Sequence, residues 1–419
     1  MRPQITHWIA VCAVLTAGCG VPIAESSAPL PVRVGGVEML SMTAPRAYQA
    51  AVRLGNGKVL ICGGTSEADA ATALNSAELY DPELGSFVPT GNMTVAREAE
   101  TATLLRNGFV LAVGGTTGAG LHTTLASAEL YEPVTGTFRE TGSMTTPRQG
   151  QTATLLQDGR VLIVGGTSNG VDALASAEIY DPVTGRFTAT GKMTVAREGQ
   201  TATLLKDGRV LVAGGGHSNT PGGYTVYSSA EIFNPATGKF AALANHMTSG
   251  RTGQAAVLLG DGRVLIAGGK TGRTPIESPE RDLFSLAPLD TAEVFDPRTG
   301  KFSAVGRMAR PHYLATATLL DDGTVLVAGG WRLKGPVVVG MRDAELFDPG
   351  TGTFSKVEPL HVGRLEGTAT LLKTGMVLMT GGIDNESDVT ATSELYDPPT
   401  RDFIPRAFQR YERHHDHGE

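Results

Sequence analysis

Residues 177–187 read AEIYDPVTGRF, and closely related segments occur six more times along the chain. The other copies are AELYDPELGSF (77–87), AELYEPVTGTF (128–138), AEIFNPATGKF (230–240), AEVFDPRTGKF (292–302), AELFDPGTGTF (344–354) and SELYDPPTRDF (393–403). A segment needed once for chemistry is not normally copied seven times, so the repetition indicates architecture. Function is then expected at positions where the copies differ.

One full repeat divides into four strands. QTATLL (151–156) alternates small polar and apolar residues and runs into Asp158-Gly159, a dipeptide suited to a two-residue hairpin turn. RVLIVGG (160–166) is a continuous apolar run, typical of a strand buried on both faces. AEIYDP is the third strand, which its proline ends, and RFTAT is the fourth. Asn-Gly or Asp-Gly marks the first turn in six copies, and Thr374-Gly375 is the exception.

A double glycine closes the second strand of every copy, at intervals of 51, 51, 49, 54, 61 and 52 residues from Gly63 to Gly381. Over about residues 42–406 this pattern resembles the kelch repeat family, whose period is near fifty residues. The chain departs from that family because phenylalanine replaces the usual tryptophan near the end of each repeat: Phe87, Phe138, Phe187, Phe240, Phe302, Phe354 and Phe403.

A single four-stranded sheet cannot bury both faces, but a ring of such sheets can. We therefore predict an all-β fold, a seven-bladed β-propeller of four-stranded kelch-like blades over residues 37–407. The last copy carries its own fourth strand around Phe403, so ring closure should need little help from the N-terminus. Residues 31–39 could still add a strand at the seam.

The third strand carries a glutamate in all seven copies: Glu78, Glu129, Glu178, Glu231, Glu293, Glu345 and Glu394. A buried carboxylate needs a cationic or multi-donor partner. The connectors between blades supply an arginine in six copies: Arg46, Arg97, Arg148, Arg197, Arg251 and Arg364. We predict structural Glu–Arg pairs that fix connectors to blades, for example Glu178 with Arg197. Solvated charges at the blade edges are the alternative.

The N-terminal sequence MRPQITHWIAVCAVLTAGC has one early arginine, a short apolar run and small residues before Cys19. The run is too short for a permanent membrane span, and LTAGC resembles the lipobox of bacterial lipoproteins. We expect a signal peptide over residues 1–18, lipid attachment at Cys19 and a flexible tether over residues 19–36. The expected location is the bacterial outer membrane or periplasm, with an ordinary secreted protein as the alternative.

Charge excludes one class of partner. The 35 basic and 42 acidic residues are scattered and sum to −7, so we expect no binding to nucleic acid. We expect a monomer. Once Cys12 is cleaved off and Cys19 acylated, Cys62 remains alone, which excludes a structural disulfide.

Variation between copies is concentrated in the second-to-third loops and the connectors, which share one face of the ring, here called the loop face. Blades four to six carry the largest departures, and residues suited to sugar or protein contact occur there. We predict a binding site built from His217, Tyr224, Tyr227, His312, Tyr313, Trp331 and Arg332. The predicted function is a non-catalytic binding or scaffolding module of the cell envelope that recognises a protein or a glycan.

A carbohydrate-active enzyme is the alternative, because kelch-type propellers include sugar epimerases and galactose oxidase. The resemblance to galactose oxidase implies copper held by tyrosine and histidine beside a Cys–Tyr crosslink, and matching residues are missing here. We therefore predict no metal, no cofactor and no catalytic residue. The His-rich tail, residues 408–419, is expected to be disordered, with weak metal binding as the alternative.

Overall fold

The computed structural model describes residues 32–34, 36–67, 72–118, 123–219, 223–272, 287–334 and 337–405. These residues belong to one unit, Pro31–Glu419, and form strands and turns without a helix. Within these ranges, no helix has the length and apolar character needed to cross a membrane.

The strands group into an N-terminal hairpin and seven blades. The hairpin contains β1 (Val32–Val34) and β2 (Val37–Ser41). Blade one contains β3 (Ala50–Arg53), β4 (Val59–Cys62), β5 (Ala77–Asp81) and β6 (Ser86–Pro89). Blade two contains β7 (Thr101–Leu104), β8 (Val110–Val113), β9 (Ala128–Glu132) and β10 (Thr137–Glu140). Blade three contains β11 (Thr152–Leu155), β12 (Val161–Val164), β13 (Ala177–Asp181) and β14 (Arg186–Ala189).

Blades four to six each carry additional strands on the loop face. Blade four contains β15 (Glu198–Leu204), β16 (Val210–Asn219), β17 (Gly223–Val226), β18 (Ala230–Asn234) and β19 (Lys239–Ala242). Blade five contains β20 (Ala255–Leu258), β21 (Val264–Ala267), β22 (Lys270–Thr271), β23 (Ala287–Pro288), β24 (Ala292–Asp296) and β25 (Lys301–Ala304). Blade six contains β26 (Thr316–Leu319), β27 (Val325–Ala328), β28 (Trp331–Lys334), β29 (Val337–Gly340), β30 (Ala344–Asp348) and β31 (Thr353–Lys356).

Blade seven contains β32 (Thr368–Leu371), β33 (Val377–Thr380), β34 (Thr392–Asp397) and β35 (Asp402–Ile404). The first strands of successive blades contact one another, and β32 contacts β3, so the seven sheets close into a ring. The prediction of an all-β, seven-bladed propeller is therefore confirmed.

Period-two alternation in the third strand packs each blade between its two neighbours. In blade three, Ala177 and Ile179 pack against blade four, whereas Tyr180 and Phe187 pack against blade two. The rings of Tyr180 and Phe187 lie 4.8 Å apart, and the equivalent aromatic pair occurs in every blade. Phenylalanine at the repeat end thus fills the place between blades.

The N-terminal hairpin takes part in ring closure. The last residues of β2, Leu40 and Ser41, pair with Ser393 and Thr392 of β34, while β35 pairs only with the later part of β34. The backbone N–H of Leu40 donates to the carbonyl of Pro405 at 2.7 Å. The outer strand of blade seven is therefore built from both chain ends, a larger N-terminal contribution than we expected. Strand β1 also falls inside the segment predicted as tether.

Six buried Arg–Glu pairs attach the connectors to the blades. The nitrogen–oxygen distances are 3.1 Å for Arg46–Glu78, 3.1 Å for Arg97–Glu129, 3.2 Å for Arg148–Glu178, 3.3 Å for Arg197–Glu231, 3.0 Å for Arg251–Glu293 and 2.9 Å for Arg364–Glu394. Glu178 therefore pairs with Arg148, and its predicted pairing with Arg197 is wrong. Each arginine lies on the connector entering its own blade, and that connector runs beside the third strand.

Blade three shows how the buried charges are satisfied. Arg148 donates to the carbonyls of Gly165 at 3.1 Å and Ser176 at 3.0 Å as well as to Glu178. The second oxygen of the Glu178 carboxylate accepts the N–H of Thr145 at 2.8 Å. Burial of such a pair is tolerated when hydrogen bonds compensate the ions, and here they satisfy the terminal nitrogens of Arg148 and both Glu178 oxygens, while Nε of Arg148 has no partner among the described residues. Glu178 therefore binds the connector at both of its ends, through Thr145 and through Arg148.

Blade six has His312 in the arginine position. Its Nδ1 lies 2.8 Å from the carbonyl of Gly329, and its Nε2 lies 3.5 Å from Glu345. Burial alone would raise the pKa of Glu345, but His312 and the N–H of Ala309 hold that pKa below its usual value. Only 1% of His312 is exposed, so His312 has a structural role and cannot contact a ligand as we predicted.

The pairing pattern gives a testable energetic prediction. Replacing Arg148 with Met should destabilise the protein by about 3–5 kcal/mol, because Glu178 would remain as an uncompensated buried carboxylate. A double-mutant cycle with Glu178→Gln, measured by chemical denaturation, should show coupling above about 1 kcal/mol.

The matched control cycle combines Glu178→Gln with Arg197→Met. Its effects should add within about 0.5 kcal/mol, because these residues do not share a pair. Equal coupling in both cycles would contradict the assignment.

Candidate functional site

The connectors turn towards the propeller axis immediately after the paired arginine. The residue two positions beyond it has a left-handed backbone in all seven blades, with φ between 53° and 62°. We call these residues the axial ring: Tyr48, Ala99, Gly150, Gly199, Gly253, Leu314 and Glu366. Non-glycine residues adopt this conformation at a cost, so the surrounding structure must impose it.

Backbone hydrogen bonds join neighbouring members of the axial ring. The N–H of Tyr48 donates to the carbonyl of Glu366 at 3.1 Å, and the N–H of Ala99 donates to the carbonyl of Tyr48 at 3.0 Å. Gly253 and Leu314 donate in the same way to Gly199 and Gly253. The left-handed turn aims these four N–H groups at the preceding blade, which helps to fix the positions of the ring residues.

A cavity of about 260 Å³ lies beside the axial ring in blades four to seven. It is lined by Gly199, Gln200, Gly253, Gln254, Leu314, Ala315, Thr316, Glu366 and Gly367. In blade three the residue after the ring, Gln151, reaches the preceding blade and donates to the carbonyl of Val113 at 2.9 Å. Blades six and seven have Ala315 and Gly367 at this position, so the volume filled elsewhere by a glutamine is open.

Three carboxyl groups from different blades lie in or next to the axial ring. Glu366 lines the cavity itself, and Glu98 and Glu198 come directly before the axial ring in blades two and four. Burial raises the pKa of each of the three to about 7. These groups are therefore partly protonated near neutral pH and can both donate and accept hydrogen bonds.

Two tyrosine hydroxyls lie within reach of the charges of these carboxyl groups. Burial, followed by the charges of Glu366 and Glu98, raises the pKa of Tyr48. Burial, followed by the charges of Glu366 and Glu198, raises the pKa of Tyr313. Two tyrosines from blades one and six thus connect the acids of blades two, four and seven.

Aromatic rings and one amine form a wall in blades five and six. The rings of Tyr313 and Trp331 meet edge to face at 6.1 Å, and a Cβ at Gly253 would lie 2.4 Å from the Tyr313 ring. The amine of Lys270 lies 3.5 Å from the Trp331 centroid and 4.3 Å from that of Tyr313. Burial lowers the pKa of Lys270 to about 8. The amine and the two rings hold one another in place.

Tyr224 extends this wall into blade four. Its hydroxyl lies 3.3 Å from Oγ1 of Thr252, and its hydrogen bond to Glu198 partly offsets the effect of burial on the pKa of that carboxyl. We use the name axial mouth for the cavity together with Glu98, Glu198, Glu366, Tyr48, Tyr224, Tyr313 and Trp331.

The structure separates the predicted binding residues. Tyr224, Tyr313 and Trp331 lie at the axial mouth. His217 and Tyr227 contact each other at 2.9 Å, and the guanidinium of Arg197 lies 5.3 Å from the Tyr227 ring, so this pair supports the β16–β17 hairpin.

The remaining predicted site residues do not join the mouth. Arg332 is exposed on the β28–β29 hairpin, and His312 is buried beneath its connector. Cys19 and residues 408–419 lie outside the described residues.

Sequence reasoning missed Glu98, Glu198, Glu366, Tyr48 and Lys270. A signal existed, because four of these follow the connector arginine within two positions, where the copies differ most. Nothing in the sequence indicated that those positions face the axis.

A sequence model of the kelch motif matches residues 46–94 and 151–194. The chain is a seven-bladed β-propeller with kelch motifs. Among solved structures it is similar to a fungal alcohol oxidase of the AA5 family in complex with copper, with 17% identity and a TM-score of 0.64 over 86% of this chain and 76% of that chain. It is also similar to YjhT, with 15% identity and a TM-score of 0.57 over 76% of this chain and 99% of that one. These likenesses show the fold. A search of curated protein sequences found no match.

The described residues do not fit a copper site like that of the oxidase. They contain no group of three or more His, Cys, Asp or Glu side chains placed to hold a metal ion. His217 and His312 have the partners given above, and His361 lies 3.1 Å from Glu394. Cys62 is buried, and burial raises the pKa of its thiol. We therefore derive no chemistry through copper.

Glu100 stands where four other blades have an inter-blade glutamine. A Cβ atom added to Gly63 would lie 2.1 Å from Oε1 of Glu100, and one added to Gly114 would lie 2.5 Å from the amide nitrogen of Gln151. Oε1 of Glu100 therefore occupies the place of the glutamine amide nitrogen. By analogy with Gln151, that atom faces the carbonyl of Cys62 and must carry a proton to donate to it. Burial accordingly raises the pKa of Glu100 to about 8, although nearby backbone N–H groups and Arg97 act to lower this pKa.

Stability should fall between about pH 4.5 and pH 8, because Glu100 keeps its proton in the folded state and loses it earlier when unfolded. Glu100→Gln should remove this loss and stabilise the protein by about 3–5 kcal/mol at pH 9, with much less effect at pH 4. Denaturation at both pH values measures the difference. A gain of equal size at both would contradict a neutral Glu100.

Proposed function

We propose that this propeller binds a carbohydrate at the axial mouth, as a lipid-anchored module of the bacterial cell envelope. The observation that carries the proposal is that Glu366 lines a cavity beside the axial ring, while Glu98, Glu198 and several aromatic side chains lie in or close to that ring. Concave sites with a few placed polar groups among apolar side chains are typical of small-ligand binding.

The chemistry of the mouth suits a polyol better than a protein surface. Tyr313 and Trp331 supply an aromatic wall, although Trp331 is only 8% exposed and mainly supports Tyr313. Glu198 and Glu366 can each donate to or accept from a sugar hydroxyl near neutral pH. A protein partner would require a broader contact area than this recess offers.

The N-terminal sequence supports placement in the envelope. The apolar run and the LTAGC segment precede the propeller by few residues, so an anchor at Cys19 would hold the propeller near a membrane surface. The proposed partners are therefore an envelope glycan and, through the lipid, the membrane.

Catalysis on the bound sugar is the second candidate. The pKa values of Glu198 and Glu366 are about 7, which is the range in which a carboxyl group works as a general acid or base at neutral pH. No nucleophile or metal is needed for such proton transfer.

Binding can be tested with a glycan and cell-wall-fragment panel followed by calorimetry on the best binder. Glu366→Gln and Tyr313→Phe should each weaken binding at least about tenfold, which corresponds to about 1.4 kcal/mol. Glu83→Gln, on the opposite face, is the matched control and should leave the affinity unchanged. Binding that survives both mouth substitutions but is lost in Arg332→Ala would move the site to the β28–β29 hairpin.

Turnover can be tested by following the bound glycan by NMR. The second candidate predicts conversion whose rate depends on a group titrating near pH 7, with that dependence removed in Glu366→Gln or Glu198→Gln. A glycan that binds and stays unchanged for days would leave the binding function and eliminate the enzymatic one.

A further inference from the structure

A second cavity lies on the opposite face of the ring, at the junction of blades six, seven and one. Its volume is about 960 Å³. Leu372, Met376, Leu395 and Ile404 give it an apolar floor. Its charged lining residues are all acidic: Glu83, Asp321, Asp322 and Asp397. We call this the seam cavity, and it is separate from the axial mouth.

Comparison with other blades shows that Asp322 lacks the arginine partner found in blades three to five. The first turn reads Asp-Gly-Arg in blades three to five, where Asp158, Asp207 and Asp261 pair with Arg160, Arg209 and Arg263 at 2.6, 2.6 and 2.7 Å. In blade six Thr324 replaces the arginine, and Asp322 accepts only from that threonine. In blade seven Met376 takes the same place. The Asp–Arg pair found in the first turns of blades three to five is thus absent from the first turns of blades six and seven.

Blade six also departs from a series of cross-blade hydrogen bonds on this face. The side chain at one turn position donates to the carbonyl of the equivalent residue in the next blade: Arg106 to Gln157, Gln157 to Lys206, Lys206 to Gly260 and Lys373 to Gly55. Blades one and five have Gly55 and Gly260 at this position and no side-chain donor, whereas blade six has the acidic side chain of Asp321, which lines the seam cavity.

The buried phenol of Tyr80 also belongs to the seam cavity. Tyr80 lines the seam cavity and is only 1% exposed. The equivalent hydroxyls of Tyr131 and Tyr180 bond to Thr90 and Thr141 of the preceding blade at 2.8 and 2.9 Å. Within the part of the chain that the structure describes, the Tyr80 hydroxyl has no such partner. A buried polar group of this kind normally has one.

We propose that the seam cavity binds a small organic cation with an apolar body, an alkylammonium or arylamidinium. The N–H donors would bind Asp321 and Asp322, while the apolar body would cover Leu372 and Met376. A bare metal ion does not fit, because the described acids are not grouped as metal ligands and half of the lining is apolar.

The test uses the purified protein with benzamidine and hexylamine as probes and benzamide and hexanol as their neutral counterparts, measured by calorimetry and ligand-observed NMR. The two cations should bind saturably, and the neutral compounds should bind at least tenfold more weakly. The double variant Asp321→Asn, Asp322→Asn should lose at least tenfold in affinity for benzamidine. Asp207→Asn, in the paired turn of blade four, should not change it.

Asp321→Lys separates binding from general damage to the fold. This lysine would reproduce the donor that Lys206 and Lys373 provide elsewhere, so the variant should show a higher melting temperature and no benzamidine binding. Equal binding of benzamidine and benzamide, unchanged binding in Asp321→Lys, or no saturable binding of either cation would overturn the proposal. Glu366→Gln should leave benzamidine binding intact, so failure of this site and failure of the axial mouth are distinguishable.

Discussion

The buried pair between a connector arginine and a third-strand glutamate is the interaction on which the rest of this propeller depends. It holds each connector to its own blade at one fixed point, and carbonyl and N–H groups around it bind the terminal arginine nitrogens and the carboxylate oxygens. The pair recurs in six blades, and His312 occupies the arginine position in the remaining one, blade six. The residue two positions beyond it therefore belongs to the left-handed axial ring in every blade. The repeat therefore fixes a circle of side-chain positions while leaving their identity free.

Both candidate sites arise where the repeat is broken. At the axial mouth, Ala315 and Gly367 replace glutamines that fill the space between other blades, and Glu366 borders the volume that remains. At the seam cavity, Asp321 replaces a donor, and Thr324 and Met376 replace arginines that neutralise the same turn elsewhere. Repeated positions supply packing, whereas the departures supply space and unpaired charge.

The fold could be predicted from the sequence because seven in-phase copies, double glycines and period-two strands admit few architectures. The existence of buried Glu–Arg pairs also followed, since a carboxylate on a doubly covered strand requires a partner. The sequence did not show which arginine pairs with which glutamate, because sequence spacing does not tell whether a connector lies beside the blade it leaves or the one it enters. His312 was misinterpreted for the same reason: its role depends on Gly329 and Glu345, which the connector meets only after folding. The carboxyl groups of the mouth were missed because their common environment comes from blades distant in sequence.

A carbon-13 NMR titration of the glutamate side chains, assigned with glutamine variants at Glu98, Glu198 and Glu366, tests the central claim most directly. We expect these three carboxyl groups to titrate near pH 7, because the departures from the repeat place each of them in a buried position in or next to the axial ring. If all three instead titrate below about pH 5, as solvated glutamates do, the mouth is an open polar surface and the account is contradicted.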